Sequence, residues 1–213
     1  MPMDAAQLLA LVPEPDPAPG PELHGGGSAD GLRFAGLTLT GDATGAHLLE
    51  CVVQDCDLGE VRFDRARLSS TLLADVRAAT LSLGEADLLD VVLERGRFGA
   101  LVLQGAELTR VLLQDVKVDF VDVRGARLTD VTLRGCDIGA LDAGSADLRR
   151  VQLVDCRVGS LELSGSRSRS VDLSGAEIGR LDGVDQLRGC TISSEQLQGW
   201  APAIAAQLGI TVA

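Results

Sequence analysis

The chain has 213 residues, of which 46% are hydrophobic but only 2% aromatic, with no tyrosine and a formal charge of −12 at pH 7. Such an acid excess argues against a protein that binds nucleic acid by neutralising phosphates, and no run of eighteen apolar residues offers a membrane-spanning helix. No basic segment followed by a long apolar run opens the chain, so the reading is of a soluble, unexported protein.

Residues 1–33 begin with a helix-like stretch from Asp4 to Val12. They continue through Pro13, Pro15, Pro17, Pro19, Pro21 and Gly25-Gly26-Gly27, which predicts a mostly disordered arm carrying one short helix. A different pattern starts at Phe34, with Leu37 and Leu39 already in inward-like positions. Nine residues separate Leu39 from Leu48, so the register slips by one there.

From Leu48 to Ile178 every fifth residue is apolar, with Ser168 as the exception, and a second small or aliphatic residue stands two positions before each. Five is neither a helical nor a strand period; it describes a very short strand followed by a corner. The leading position runs Ala86, Val91, Gly96, Leu101, then Ala106, Val111, Val116, Val121, then Ala126, Val131, Cys136, Leu141, so residue type recurs every twenty residues. Four corners per circuit close a square coil in which residue n lies above residue n−20. About seven such circuits at about 4.8 Å each make a rod of about 33 Å. A fixed period of this kind outweighs every other sequence signal.

Units such as Ala86-Asp87-Leu88-Leu89-Asp90 and Ala146-Asp147-Leu148-Arg149-Arg150 resemble the pentapeptide-repeat family over about two thirds of the chain. The resemblance implies an all-β solenoid, a right-handed quadrilateral β-helix, over residues 34–192. Its fluoroquinolone-resistance members imply a C-terminal helical segment that joins two rods, and an acidic body that imitates duplex DNA and occupies DNA gyrase. The chain departs from those members in using Leu or Val where Phe is frequent, with only Phe63 and Phe98 at the centre position. It also carries no inserted loop between residues 46 and 181.

A second slip at Gly183 ends the strict period. Ser193-Ser194-Glu195 then caps a helix whose Leu197, Trp200, Ala201, Ile204 and Leu208 follow helical spacing, with Gly209 as its stop and Pro202 predicted to kink or divide it. Residues 193–213 are read as a cap over the open coil end and, through Leu197, Trp200, Ile204, Leu208, Ile210 and Val212, as the contact of a homodimer.

Charge is uneven along and around the rod. Residues 1–45 carry −5, the tail beyond residue 182 carries −1, and the repeats carry the remaining −6. Wall 1 is defined by residues 106–110, wall 2 by 111–115, wall 3 by 116–120 and wall 4 by 121–125, each with its copies twenty residues apart. Wall 2 has six acids against two arginines and wall 4 six against three, whereas walls 1 and 3 come out at +1 and 0. Asp122, Asp142, Glu162 and Asp182 form an unbroken ladder on wall 4, and Asp55, Asp75, Asp115 and Asp155 a column on wall 2 broken by Arg95 and Gly135. The ladder is a candidate for contacting a basic, DNA-binding groove. Arg149, Arg150, Arg167 and Arg169 on wall 1 stand against close mimicry of DNA.

Val52, Leu72, Val92 and Leu112 occupy outward positions of wall 2 and predict an apolar ridge, either for a partner protein or, preferably, for the arm's helix around Leu8, Leu9 and Leu11. Cys51, Cys56, Cys136 and Cys156 take inward positions and read as reduced core thiols in a cytoplasmic protein, not as a metal or redox centre. His24 and His47 have no cysteine or carboxylate at ligand spacing, and no phosphate loop, nucleophile elbow or zinc motif is present. No cofactor, metal or catalytic residue is expected. Two functions remain: a regulator or protector of a topoisomerase, or a general protein-interaction scaffold.

Overall fold

A computed structural model describes residues 2–11, 14–18, 20, 22–59 and 61–211. Val12, Pro13, Pro19, Pro21 and Val212 lie outside the described residues, as does the side chain of Leu11. Short strands stack in parallel at a spacing of twenty residues: Asp87 pairs with Glu107, Glu107 with Arg127 and Arg127 with Asp147. The walls turn one into the next because side chains at the first and third positions of each unit point inward and pack, as Leu58, Leu81 and Ala106 do with no exposure.

The solenoid has about nine turns, more than the seven counted from the strict beat. The difference lies at the entry, where Arg33 pairs with Val52 and Glu22 with Thr40, circuits of nineteen and eighteen residues that the five-residue template misses. The segment read as a disordered arm therefore contains stacked strands well before residue 34, including Glu22–His24, Ser28–Asp30 and Asp16–Pro17. Pro17 is tolerated because Asp16 N–H donates to the Gly31 carbonyl at 2.8 Å and Ala18 N–H to that of Arg33 at 2.9 Å. Alternate residues face the ladder, so the missing proline donor is not needed.

The corners are of two kinds. Walls 1, 2 and 4 end on residues with positive φ, Gly175 excepted, among them Gly105 and Gly125 at +68° and +65° but also Asp55, Glu85, Asp115 and Asp155 at +52° to +54°. Wall 3 ends on Thr80, Ala100, Phe120, Ala140 and Ser160, none of which has positive φ. Its tight point is one residue earlier, where a Cβ on Gly99 would come within 2.6 Å of the Ala79 carbonyl oxygen. The recurrence of glycine at Gly139, Gly159 and Gly179 follows from the same close approach between stacked backbones.

The C-terminal end is closed by α2 (Ser194–Gln207). Ser193 Oγ accepts from Gln196 N–H at 3.1 Å, and Gln196 Oε1 accepts from Ser193 N–H at 2.8 Å, a reciprocal capping box. The Gln196 amide also donates to the carbonyls of Leu173 and Ala176 at 2.8 Å each. These carbonyls belong to the last regular coil, where no further coil follows to pair them. Trp200 is 7% exposed and plugs the core, with Ile204 beside it. Pro202 does not divide α2, which runs through it; the carbonyl it leaves without a helical donor one turn earlier belongs to Gln198, an exposed residue.

A core cavity of about 40 Å³ lies among Leu103, Val123, Ala143, Leu163 and their neighbours. In the wall 4 centre column Phe63, Leu83 and Leu103 are followed by the smaller Val123 and Ala143 before Leu163 restores bulk. Replacing Ala143 with Leu should fill this void and raise stability by about 1 kcal/mol, at about 24 cal/mol per Å³ of cavity. Chemical denaturation of the variant measures this; an unchanged or lower midpoint would mean that the space is too narrow for the added branch.

Candidate functional site

The wall 4 ladder is brought together as its spacing implies, with Asp122 opposite Asp142 and Glu162 opposite Asp182 on adjacent coils. Its carboxylates, however, are engaged by the rod itself. Asp122 is 3% exposed and accepts from the Arg124 guanidinium at 2.6 Å and from the Arg124 N–H at 3.0 Å. Arg124 lies 3.6 Å from Asp142 as well, and Asp142 accepts from Gly144 N–H at 3.0 Å. Glu162 accepts from Ser164 N–H at 2.6 Å, and Asp182 pairs with Arg180 at 2.9 Å. A carboxylate at the second position of a unit thus caps the N–H two residues on, just before the corner. The same contact recurs at Asp42, Asp57 and Asp172.

This geometry sets the electrostatics. The Arg124 side chain, helped by its backbone N–H, holds the Asp122 carboxyl below the usual carboxylate range despite burial. Asp122 correspondingly raises the Arg124 pKa. Three of the four ladder carboxylates, Asp122, Asp142 and Asp182, therefore face guanidiniums from the same protein. Sequence columns could not reveal this, because Arg124 stands in the fourth-position column and Arg180 on wall 3; the signal was the two-residue separation of Asp122 from Arg124 and of Arg180 from Asp182.

On wall 2 the breaks in the acidic column have a role. Arg95 reaches down to Asp75 at 2.8 Å and sideways to Glu94 at 2.5 Å, and Gly135 leaves room for the Asp115 carboxylate, which would collide with a Cβ there. Arg95 holds the Asp75 carboxyl below its usual range. Asp115 and Asp155 have no ion pair among the described residues.

The ridge is present but not exposed. Val52, Leu72, Val92 and Leu112 are between 1% and 4% exposed because α1 (Ala5–Leu11) lies over them, with Leu8 at their centre. The arm's helix is thus the occupant, and the alternative of an open ridge awaiting a partner is corrected. Leu9 faces away, at 41% exposure.

In the arginine cluster Arg149 pairs with Asp147 at 2.7 Å and Arg150 with Asp130 at 2.6 Å, while Arg167 and Arg169 have no ion pair among the described residues. The six dimer candidates split: Trp200 and Ile204 pack on the core, Leu197, Leu208 and Ile210 face solvent at 51%, 69% and 56% exposure, and Val212 lies outside the described residues.

The inward cysteines are free thiols that donate to two carbonyls, as Cys156 does to Leu133 and Val154 at 3.3 and 3.4 Å. Its neighbour Cys156, and then burial, hold the Cys136 thiol well above the usual range. Among the described residues no group of three metal-ligating side chains is found, and the cavity's lining is wholly aliphatic. No helix among the described residues is long and apolar enough to cross a membrane.

The register of twenty, the four five-residue walls and the helical plug together decide the architecture. The fold is the pentapeptide-repeat β-helix. No family model matches the sequence, and no curated protein does. Solved structures do: full-length QnrB1, a plasmid-mediated fluoroquinolone resistance protein, at 17% identity over 86% of this chain and 100% of that one, with a TM-score of 0.37. HetL, a pentapeptide repeat protein involved in heterocyst differentiation regulation from the cyanobacterium Nostoc sp. strain PCC 7120, matches at 18% identity over 90% and 98%, with a TM-score of 0.35. These superpositions are loose, so the assignment of the pentapeptide-repeat fold rests on the chain's own register.

The Asp122 contacts make a pH test. A carboxyl whose folded pKa lies below its unfolded value stabilises the fold above about pH 4, and that stabilisation is lost as pH falls through the folded value. Asp122→Asn should cost about 1–3 kcal/mol at neutral pH, the worth of hydrogen bonds to a charged group, and much less near pH 2. Denaturant midpoints at the two pH values measure it; an equal deficit at both would show that the charge is immaterial.

Proposed function

We propose that this rod is a non-enzymatic binding protein whose wall 4 contacts a basic surface on a protein partner. The observation that carries the reading is the continuous Asp122, Asp142, Glu162, Asp182 column, which a parallel coil keeps at about 4.8 Å spacing and in which Asp142, Glu162 and Asp182 remain partly exposed while Asp122 is buried against Arg124. Like charges so close repel one another, and a cationic partner relieves them. Arg124 and Arg180 make the wall a mixed surface, which suits the side chains of a protein-interaction site better than the regular charge of duplex phosphates. DNA gyrase, the partner implied by the family resemblance, is the first to test.

A supercoiling assay with purified gyrase, with and without a fluoroquinolone, should show inhibition or protection at micromolar protein if gyrase is that partner. Charge reversal by Glu162→Lys should remove the effect. Absence of any effect would discard gyrase, and a cytosolic pull-down in which native protein and Glu162→Lys retain the same proteins would discard wall 4 as the contact.

A homodimer through α2 belongs to the same proposal, supported by Leu197, Leu208 and Ile210 at 51%, 69% and 56% exposure beyond the residues that plug the core. Free buried thiols support placing the protein in a reducing cytoplasm. Solution scattering should give a dimeric mass that Leu208→Asp halves; a monomeric mass for the native chain at tens of micromolar would overturn the dimer.

A further inference from the structure

The wall 1 unit 166–170 reads Ser-Arg-Ser-Arg-Ser and is the one unit of the strict period without an apolar centre. Beneath it the leading column is Ala86, Ala106, Ala126 and Ala146, and the centre column Leu88, Leu108, Leu128 and Leu148. Ser166 is buried with its hydroxyl unpartnered, and the Ser168 hydroxyl meets at most the Cys190 thiol, a weak partner. Unsatisfied hydroxyls and the lost leucine anchor this unit less firmly than the four below. The backbone agrees. Strands of eight residues run unbroken through the same corner at Asp87–Glu94, Glu107–Gln114 and Arg127–Arg134, whereas the strand Arg167–Arg169 stops before Ser170. Ser170 is exposed, at φ +57°.

Ser170 also ends a column of alternating charge, with Asp90, Arg110, Asp130 and Arg150 beneath it at the same positive-φ corner. Arg110 bonds Asp90 below it at 2.6 Å, and the charge of Asp130 above adds to that of Asp90 in raising its pKa. Arg150 bonds Asp130 at 2.6 Å and has no acid above it. Arg149 pairs with Arg169 in register, which sets Ser170 over Arg150, where the alternation calls for an anion. Cations without partners surround that place. Arg167, Arg169 and Arg188 are exposed and have no ion pair among the described residues, and the pairing of Val171 with Cys190 puts Arg188 over Arg169. Five arginines, Arg149, Arg150, Arg167, Arg169 and Arg188, thus face two acids, Asp130 and Asp147, an excess of three positive charges.

We propose that Ser170 is a phosphorylation site whose phosphate is received by Arg150 below it and Arg169 beside it. The serine stands three residues after Arg167 and one after Arg169, a charge pattern that a protein kinase with an acidic substrate groove reads. The γ-phosphoryl group of a nucleoside triphosphate passes to Ser170 Oγ: a P–O bond forms there as the bond to the β-phosphate oxygen breaks, the diphosphate leaves, and the hydroxyl proton goes to the kinase's base. A phosphate of about −2 charge takes the place over Arg150 that Asp130 takes over Arg110, and reduces the excess at this corner to about +1. Modification therefore erases most of the basic patch on wall 1. The inference is independent of the reading of wall 4.

The test incubates the full chain with the purified catalytic domain of a serine kinase selective for basic substrates and MgATP, and maps the phosphate by tandem mass spectrometry. It should fall on Ser170, vanish in Ser170→Ala and form about tenfold more slowly in Arg167→Ala, which removes one charge the kinase reads. In phosphorus NMR the phosphate should titrate about one pH unit below its ordinary second pKa of about 6, because nearby guanidiniums favour the dianion. Arg150→Ala should remove that depression and Arg150→Lys should keep most of it; Arg169→Ala serves if Arg150→Ala, which also strips Asp130 of its partner, does not fold by circular dichroism. A phosphate on another serine, an unmodified chain, or a titration unmoved by the arginine variants would each overturn the proposal. Inorganic phosphate that shifts the arginine side-chain NMR signals of a chain the kinase leaves unmodified would overturn it in favour of a free-anion site.

Discussion

Parallel hydrogen bonding between each coil and the next is the constraint from which the rest of this molecule follows. Leu72 N–H donates to Cys51 O at 3.0 Å and Glu107 N–H to Ala86 O at 2.9 Å, and equivalent bonds repeat up the rod. The ladder fixes the register at twenty, so every side chain has a fixed neighbour above and below. A favourable choice at one position is therefore copied along a column, and so is an unfavourable one. Like charges stack unless something intervenes. The chain answers with cross-coil pairs twenty residues apart: Arg95 with Asp75, Arg110 with Asp90, Arg150 with Asp130 and Arg127 with Glu107. These pairs are largely solvent-exposed and each contributes little to stability. Their value lies in breaking columns that would otherwise repel.

The same constraint makes the ends expensive. Each interior coil has partners on both sides, whereas the last has carbonyls and apolar side chains with nothing above them. Gln196 and Trp200 answer these two needs separately, the amide taking two carbonyls and the indole filling the core. Gln196 and Trp200 suffice for both, and Leu197 and Leu208, although they share the helical stripe of Trp200 and Ile204, are left to solvent.

What was legible in the sequence is what the register repeats. Period, inward columns, the ladder on wall 4 and the C-terminal cap all follow from counting, because every unit carries the same information many times over. The entry coils escaped because their circuits of nineteen and eighteen residues keep the stacking while abandoning the count. Pro17 misled for a related reason: a proline forbids only the hydrogen bond its own N–H would make, and in an edge strand that direction is empty. The ridge was found as a column, but its burial depended on a helix of seven residues, docked from a segment outside the repeat. The engagement of Asp122 by Arg124 needed the cap geometry of one unit, a local contact that column arithmetic averages away.

The two acidic walls are consequently unlike in state although alike in composition. On wall 2 the N-terminal coils carry aliphatic side chains at the outward second position, and α1 covers them; from Thr132 onward that position turns polar. On wall 4 the second position in the C-terminal coils carries carboxylates, of which Asp122, Asp142 and Glu162 serve first as corner caps. A residue that caps its own backbone is held in one orientation, so Asp142 and Glu162, capped and partly exposed, present their charge without the side-chain entropy cost of an ordinary surface acid. Structural capping and partner recognition are thus not rival explanations of the ladder. The cap orders the row, and order is what lets a rod of this kind present one charge pattern to a partner.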